Sequence, residues 1–384
     1  MAEPKMISTK AYVVESKGAP FILKEVILDE VQPNEVLVEM KYTGLCHTDV
    51  VVQQGGMPIG MYPAVLGHEG VGVVKHVGSD VADKSLLQGD IVLLSFHSCQ
   101  RCRACFAGRC GSCPHMTETN FIATARKGPG PKSPISLPDG SPVHGQFFGQ
   151  SSLSKLAVVA ETSVVKVPAA RPSDLPFLAP LACGYLTGAG TVLNVLKPER
   201  DHTVVVLGMG AVGLAAVMAA KAVGVETVVG VDIVDSKLEL ASVLGATYML
   251  NTNKVGLEEG IRDLFADGAD FIVDATGVAS LHGPAMKALA HEGTLALVGV
   301  PPPTARLEVD TLDFLLSCKR LVGVIEGQSN PQQLIPQLLD LYHQGKFPIN
   351  LISKCYPAEC LSQAIEDLKS GIVVKPILSW DNIK

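Results

Sequence analysis

Residues 35–42 alternate, with Val36, Val38 and Met40 set against Leu37, Glu39 and Lys41. That period of two predicts a strand, closed by Gly44. Shorter β-type runs recur at 10–14, 21–26, 65–77, 90–94, 154–159 and 163–167, separated by Gly, Pro and polar residues. Several short strands joined by glycine turns predict a small barrel-like β domain. The pattern changes at residue 203. A Val-rich strand at 203–207 runs into an Ala-rich helix that reaches 222. Strand and helix then alternate: strand 227–231, helix 236–244, strand 271–274, helix 282–290, strand 294–298 and strand 320–324. Alternation of this kind predicts a parallel sheet with helices on both faces, hence an α/β protein. After Asn330 the pattern reads helix 331–344, strand 351–355, helix 361–370 and strand 376–380, elements expected to return to the first domain.

The stretch 204–220 is almost free of polar side chains and long enough to suggest a membrane span. Gly208, Gly210 and Gly213 interrupt it, and its halves differ, one β-branched and one Ala-rich. A buried strand, a tight turn and a buried helix account for it better, so no membrane partner is expected. Residues 116–150 are rich in Pro, Gly and Ser; so long a loop is expected to serve a substrate channel or a subunit contact. The first five residues lead into no apolar segment, and no signal peptide is expected. Length, 384 residues, suits two or three domains, and 47% hydrophobic with 18% charged residues is ordinary for a large α/β chain. Net charge is -7 with no Lys/Arg run, which argues against nucleic acid.

In the segment from Thr203, Gly208, Gly210 and Gly213 form G-x-G-x-x-G between a strand and a helix, and Asp232 ends the next strand. With an acid about twenty residues on, this is the dinucleotide fingerprint. Gly208 would make the turn. Gly210 would let a pyrophosphate reach the helix N-terminus, and Gly213 would let helix and sheet pack closely. Asp232 would accept hydrogen bonds from the adenosine ribose and repel a 2'-phosphate, which favours NAD over NADP.

The remaining chemistry lies in cysteine and histidine. Cys46, His68 and the distant Cys183 make two soft donors and one borderline one, the three-ligand count of a catalytic zinc with an open position. Cys99, Cys102, Cys105 and Cys113 follow C-x2-C-x2-C-x7-C, which would close a structural zinc site. Cys110 could replace Cys113, and an iron-sulfur cluster would also take four thiolates. Cys318, Cys355 and Cys360 have no partners at metal spacing and read as buried and inert. The metal-type spacing, with no secretory signal, points to a reducing compartment and a cytoplasmic protein.

These motifs, in this order, with Gly44-x-Cys46-His47-Thr48-Asp49 and Gly67-His68-Glu69, resemble the zinc-dependent alcohol dehydrogenases of the medium-chain dehydrogenase/reductase superfamily. The resemblance covers nearly the whole chain. It implies a GroES-like β-rich catalytic domain at 1–184, with a structural zinc lobe at 96–115. A Rossmann doubly wound domain would follow at 185–325, and 326–384 would return to the catalytic domain. It implies Cys46, His68 and Cys183 as catalytic zinc ligands, with Asp49 and Glu69 as carboxylates behind them. Thr187 and Val212 would pack against the nicotinamide, Val298 and Val300 would lie along its pocket, and Lys237 would meet the adenosine ribose. His47 and Lys375 would neutralise the pyrophosphate, Lys375 having the alternative of a solvated charge. Thr48 would take the alcohol proton. Where many members carry a histidine that ends a proton relay, this chain has Val51; that departure, with Val324–Ser329, Pro331 and 344–348, is similar to the aryl- or benzyl-alcohol branch.

The resemblance therefore implies NAD-linked interconversion of a primary, aromatic or allylic, alcohol and its aldehyde, by a homodimer or homotetramer. A biosynthetic aldehyde reductase is the alternative, and a non-catalytic metal- and dinucleotide-binding protein is a third. No role is expected for the other histidines, His282 among them.

Overall fold

The computed structural model describes residues 6–57, 61–122, 126 and 133–384. Residues 1–5, which carry the expectation of no signal peptide, and 123–125 and 127–132 of the Pro/Gly/Ser-rich loop lie outside the described residues. Backbone packing divides the chain into two units. One comprises Met1–Cys183, Asn330–Leu339 and Ile349–Lys384; the other comprises Gly184–Ser329 and Asp340–Pro348. The stretch 340–348, expected with the first unit, packs in the second.

In the first unit the short strands form two sheets. Ala64–Val65, Ile7–Val14, Phe21–Leu28, Ile135–Ser136 and Pro142–Val143 make one, and Glu35–Gly44 is the axis of the other. That axis pairs with Gly70–Val77, Leu156–Ala160 and Lys375–Ser379, all antiparallel. Val36, Val38 and Met40 are fully buried, and Leu37 on the opposite side is buried too, packed with Val13, Val26, Leu28 and Val158 from both sheets. A central strand covered on both faces loses the exposure contrast that its alternation suggests. Its register with Gly70–Val77 shifts twice, between Leu37 and Val38 and between Met40 and Tyr42. Such irregularities re-aim strand ends next to functional sites. Trp380, the only tryptophan of the chain, is buried and donates from Nε1 to Thr43 Oγ1 at 2.9 Å. This ties the returning C-terminal segment to the axis.

The second unit holds one parallel sheet in the order Tyr248–Asn251, Thr227–Asp232, Thr203–Leu207, Ala269–Asp274, Leu289–Leu297, Arg320–Gly323. In chain order this is 3-2-1-4-5-6, the doubly wound Rossmann arrangement. The order reverses beside Thr203–Leu207, whose neighbours are the second and the fourth strand. Val204 to Val206 are fully buried, and helix Ala211–Ala222 is buried from Gly213 to Ala220. The apolar stretch is thus a strand and a helix, and among the described residues no single helix is long and apolar enough to cross a membrane.

Candidate functional site

Strand pairing delivers the first cluster. Thr43 lies opposite Gly70, so the chain after 44 and the chain before 70 meet at one end of the sheet. Gly44 N donates to Glu69 O at 2.8 Å. Position 44 needs glycine, because a Cβ there would lie 2.1 Å from Glu69 Oε2. The chain then enters helix His47–Gln53 with Cys46 at its N-cap. Val50, Val51 and Val52 disfavour a helix. Asp49 secures its start: Oδ2 accepts from Cys46 N at 3.1 Å, one half of a capping box. Its Oδ1 accepts from Gly67 N and from His68 Nδ1, both at 3.0 Å. One buried carboxylate therefore sets the backbone at Cys46 and the ring of His68, and leaves Nε2 as the ligand atom.

Cys183 follows the short turn Ala179–Ala182, where Ser95 Oγ donates to Ala182 O at 2.5 Å. Gln150 Nε2 reaches the carbonyls of His68, Leu94 and Ser95, each at 3.0 Å. The segment bearing His68 is thus bound to this buried amide directly, and the segment bearing Cys183 is linked to it through Ser95. Nothing in the sequence pattern marks Gln150; it is recognisable only from its partners.

The ligand atoms of Cys46, His68, Glu69 and Cys183 all lie within 4.8 Å of one another. His68 Nε2 is buried and has no hydrogen-bond partner among the described residues. A buried polar atom in that state is destabilising unless a ligand completes it. Two sulfurs and one imidazole nitrogen are the donors zinc takes, so the residues fit that metal. The Cys183 thiol lowers the Cys46 pKa most; burial opposes it, and Lys375 and His68 bring it well below the usual thiol range. Burial lowers the His68 pKa, but Asp49 and Cys46 outweigh it and hold the ring well above its ordinary value.

One expectation, the alternative of a solvated Lys375, is corrected here. Glu69, expected behind the ligands, has a carboxylate oxygen within 4.8 Å of the three ligand atoms. Lys375 is not solvated: it is 2% exposed, with Nζ 2.7 Å from Glu69 Oε1 and 3.3 Å from Leu45 O. Strand Lys375–Ser379 runs antiparallel to Glu35–Gly44 with Ile377 opposite Gly44, which carries Lys375 to the sheet end where Glu69 lies. Burial raises the Glu69 pKa while Lys375 opposes the rise. Thr48, in the first turn of the helix, is partly exposed, and His47 is exposed. Behind His68, Phe148 stacks at 4.5 Å between ring centroids, and Phe147 and Phe121 pack edge-on against that pair.

Cys99, Cys102, Cys105 and Cys113 bring their sulfurs within 4.8 Å of one another, and Cys110 is not in the set. Cys102 caps helix Arg103–Phe106 and accepts from Cys105 N at 3.4 Å. That amide brings the Cys102 thiol down to about 6, whereas burial pushes Cys105 up to about 12. Four thiols at one point fit a structural zinc. Cys318, Cys355 and Cys360 are exposed rather than buried.

In the second unit, Gly208 has φ +89°, and a Cβ at Gly213 would lie 1.8 Å from Gly208 O. Among the described residues nothing stands within 4 Å of where a Cβ at Gly210 would be, and Gly210 is the N-cap of Ala211–Ala222 with no side-chain cap. The helix N-terminus is therefore open to an anion. Asp232 Oδ2 accepts from Met209 N at 2.7 Å, and Oδ1 accepts from Ile233 N at 2.7 Å and Val234 N at 3.1 Å. The acid grips the glycine loop from the end of the neighbouring strand. Lys237 is partly exposed on helix Asp235–Leu244. Thr187 Oγ1 donates to Glu326 Oε2 at 3.2 Å, and the next residue, Gly188, lies so close to Val212 O that a Cβ would approach it to 2.0 Å. Val298 is partly exposed and Val300 is 63% exposed.

Two models of known families match the chain, an alcohol dehydrogenase GroES-like domain over 32–169 and a zinc-binding dehydrogenase over 211–344. A geraniol dehydrogenase of Castellaniella defragrans is 36% identical over 97% of this chain and 98% of its own length. A class-3 alcohol dehydrogenase of Caenorhabditis elegans is 33% identical over 99% and 98%. The crystal structure of benzyl alcohol dehydrogenase from Acinetobacter calcoaceticus superposes with a TM-score of 0.90 at 37% identity, covering 97% of this chain and 99% of that one.

Proposed function

The chain belongs to the zinc-dependent alcohol dehydrogenases of the medium-chain dehydrogenase/reductase superfamily and is a zinc- and NAD-dependent oxidoreductase of an alcohol/aldehyde pair, and from that premise we propose that its alcohols are primary and aromatic or allylic. The observation that carries the reading is the convergence of Cys46, His68 and Cys183, with His68 Nε2 left for a metal. Zinc held there would supply a Lewis acid for the alcohol oxygen, and NAD would supply the hydride acceptor. The protein's own part is positional. Asp49 orients the imidazole, Cys46 is poised as thiolate, and the Thr48 hydroxyl, two residues on, takes the alcohol proton. Val51, one helical turn after Thr48, cannot carry that proton further, so it passes to His47 or to solvent.

Substrate class is supported by the names of two of the three relatives reported above, which are named for geraniol and benzyl alcohol. A panel of benzyl, allylic and saturated primary alcohols with NAD tests this. The first two should exceed a saturated alcohol of similar size in kcat/KM by at least about tenfold, the worth of one aromatic contact. Equal values across the panel would remove the substrate proposal and leave the dehydrogenase. We propose a dimer or tetramer. Leu312, Leu315 and Leu316 are exposed on helix Thr311–Leu316, next in the chain to the sheet-edge strand Arg320–Gly323. Light scattering on the same sample should give a multiple of 40.4 kDa, and a monomer mass would contradict it.

Asp232 is proposed to choose NAD. Its exchange for glycine should lower kcat/KM with NAD by about ten- to hundredfold, the loss of one charge-assisted hydrogen bond, and narrow the NAD-to-NADP ratio. If the unmodified protein already uses NADP as well as NAD, the role given to Asp232 is wrong.

A further inference from the structure

Strand Ala269–Asp274 ends on a carboxylate at the point where strand order reverses, Asp274 lying opposite Leu207. Ligands of doubly wound sheets bind outside the carboxyl ends of the strands at this reversal. Asp274 is fully buried, and His282, the first residue of helix His282–Ala288, is buried to 5% exposure. His282 Nε2 lies 2.9 Å from Asp274 Oδ2, and facing a carboxylate it donates. Asp274 Oδ1 accepts from Thr276 N at 2.8 Å and from Thr276 Oγ1 at 2.5 Å. The main-chain oxygen of Asp274 accepts from Val298 N and Gly299 N, each at 2.9 Å. One residue thus fixes the loops after the fourth and fifth strands. Thr276 carries the effect to the fingerprint: its Cγ2 lies 2.8 Å from where a Cβ on Gly208 would be. An ionisable pair buried away from solvent is costly unless fully hydrogen-bonded, and replacing it with apolar side chains is often neutral or stabilising.

We infer that His282 and Asp274 are a positioning pair that clamps the loop 275–281 against the glycine turn and so sets the affinity for the dinucleotide, without touching the reacting atoms. The inference rests on the NAD reading of the second unit. NAD titration of the unmodified holoenzyme, followed by fluorescence, tests that reading first and separately. His282→Gln keeps a donor near the place of Nε2, whereas His282→Leu removes it at similar size. The Leu variant should bind NAD about tenfold more weakly and the Gln variant within about threefold of the parent, with kcat at saturating NAD held in both. Equal weakening in the two variants, or unchanged NAD affinity in a folded Leu variant, would overturn the proposal. Should the Leu variant not fold, Thr276→Val decides. It removes one bond to Asp274 and should raise the NAD dissociation constant about threefold with kcat unchanged; no rise would overturn the proposal.

Discussion

Cys46→Ser should yield a folded protein that binds one zinc per chain instead of two and turns over at least about a thousandfold more slowly. The figure follows from losing several kcal/mol of Lewis-acid stabilisation at about 1.4 kcal/mol per tenfold. A serine hydroxyl does not ionise near neutral pH, so the donor set falls to one thiolate and one imidazole beside Glu69. The four-cysteine lobe should be unaffected, since its sulfurs form a separate cluster with their own backbone donor at Cys105. Metal analysis and steady-state rates on one preparation read both parts. Turnover retained with a single zinc, or loss of both metals together, would contradict the division into one catalytic and one structural site.

That division was legible in the sequence because metal-ligand spacing and the glycine fingerprint are local patterns with a fixed chemical meaning. The strand at 203–207 and its helix were legible for a related reason: Val204 to Val206 and Gly213 to Ala220 are buried almost without exception, so composition alone outlines them. Elsewhere the local signal points the wrong way. Three consecutive valines at 50–52 disguise helix His47–Gln53, which Asp49 holds through bonds to Cys46, Gly67 and His68. The edge strand Tyr248–Asn251 leaves Tyr248 and Met249 exposed, and helix Thr311–Leu316 turns three leucines outward, so neither shows the burial pattern of a core element. Long-range pairs are beyond any local rule. Lys375 and Glu69 are 306 positions apart and meet because the last strand returns beside Glu35–Gly44. His282 was illegible as well. Asp274 and Thr276 at a strand end hint at a turn, but the histidine that completes the group starts the next helix.

The Lys375–Glu69 pair carries the second large effect. Both side chains are essentially buried and their charges are 2.7 Å apart. Removing one partner of such a pair strands the other charge, at a cost of about 3–5 kcal/mol. Lys375→Met, apolar and of similar length, should therefore lose about that much stability in urea unfolding of the zinc-loaded protein. Glu69→Gln in the same chain should recover much of it, because a neutral amide no longer needs a cation. Activity should separate from stability. In the native protein Lys375 engages Oε1 of a carboxylate that already stands within reach of the three metal ligands. Without that ammonium, Glu69 is left with the metal as its strongest positive partner. A fourth protein donor closes the position an alcohol must occupy, turning a catalytic geometry into a structural one. The Lys375→Met protein should thus keep two zincs and lose kcat, and the double variant should regain both stability and turnover. A Lys375→Met protein that loses less than about 1 kcal/mol and turns over normally would mean that the pair neither holds the fold nor keeps the metal open.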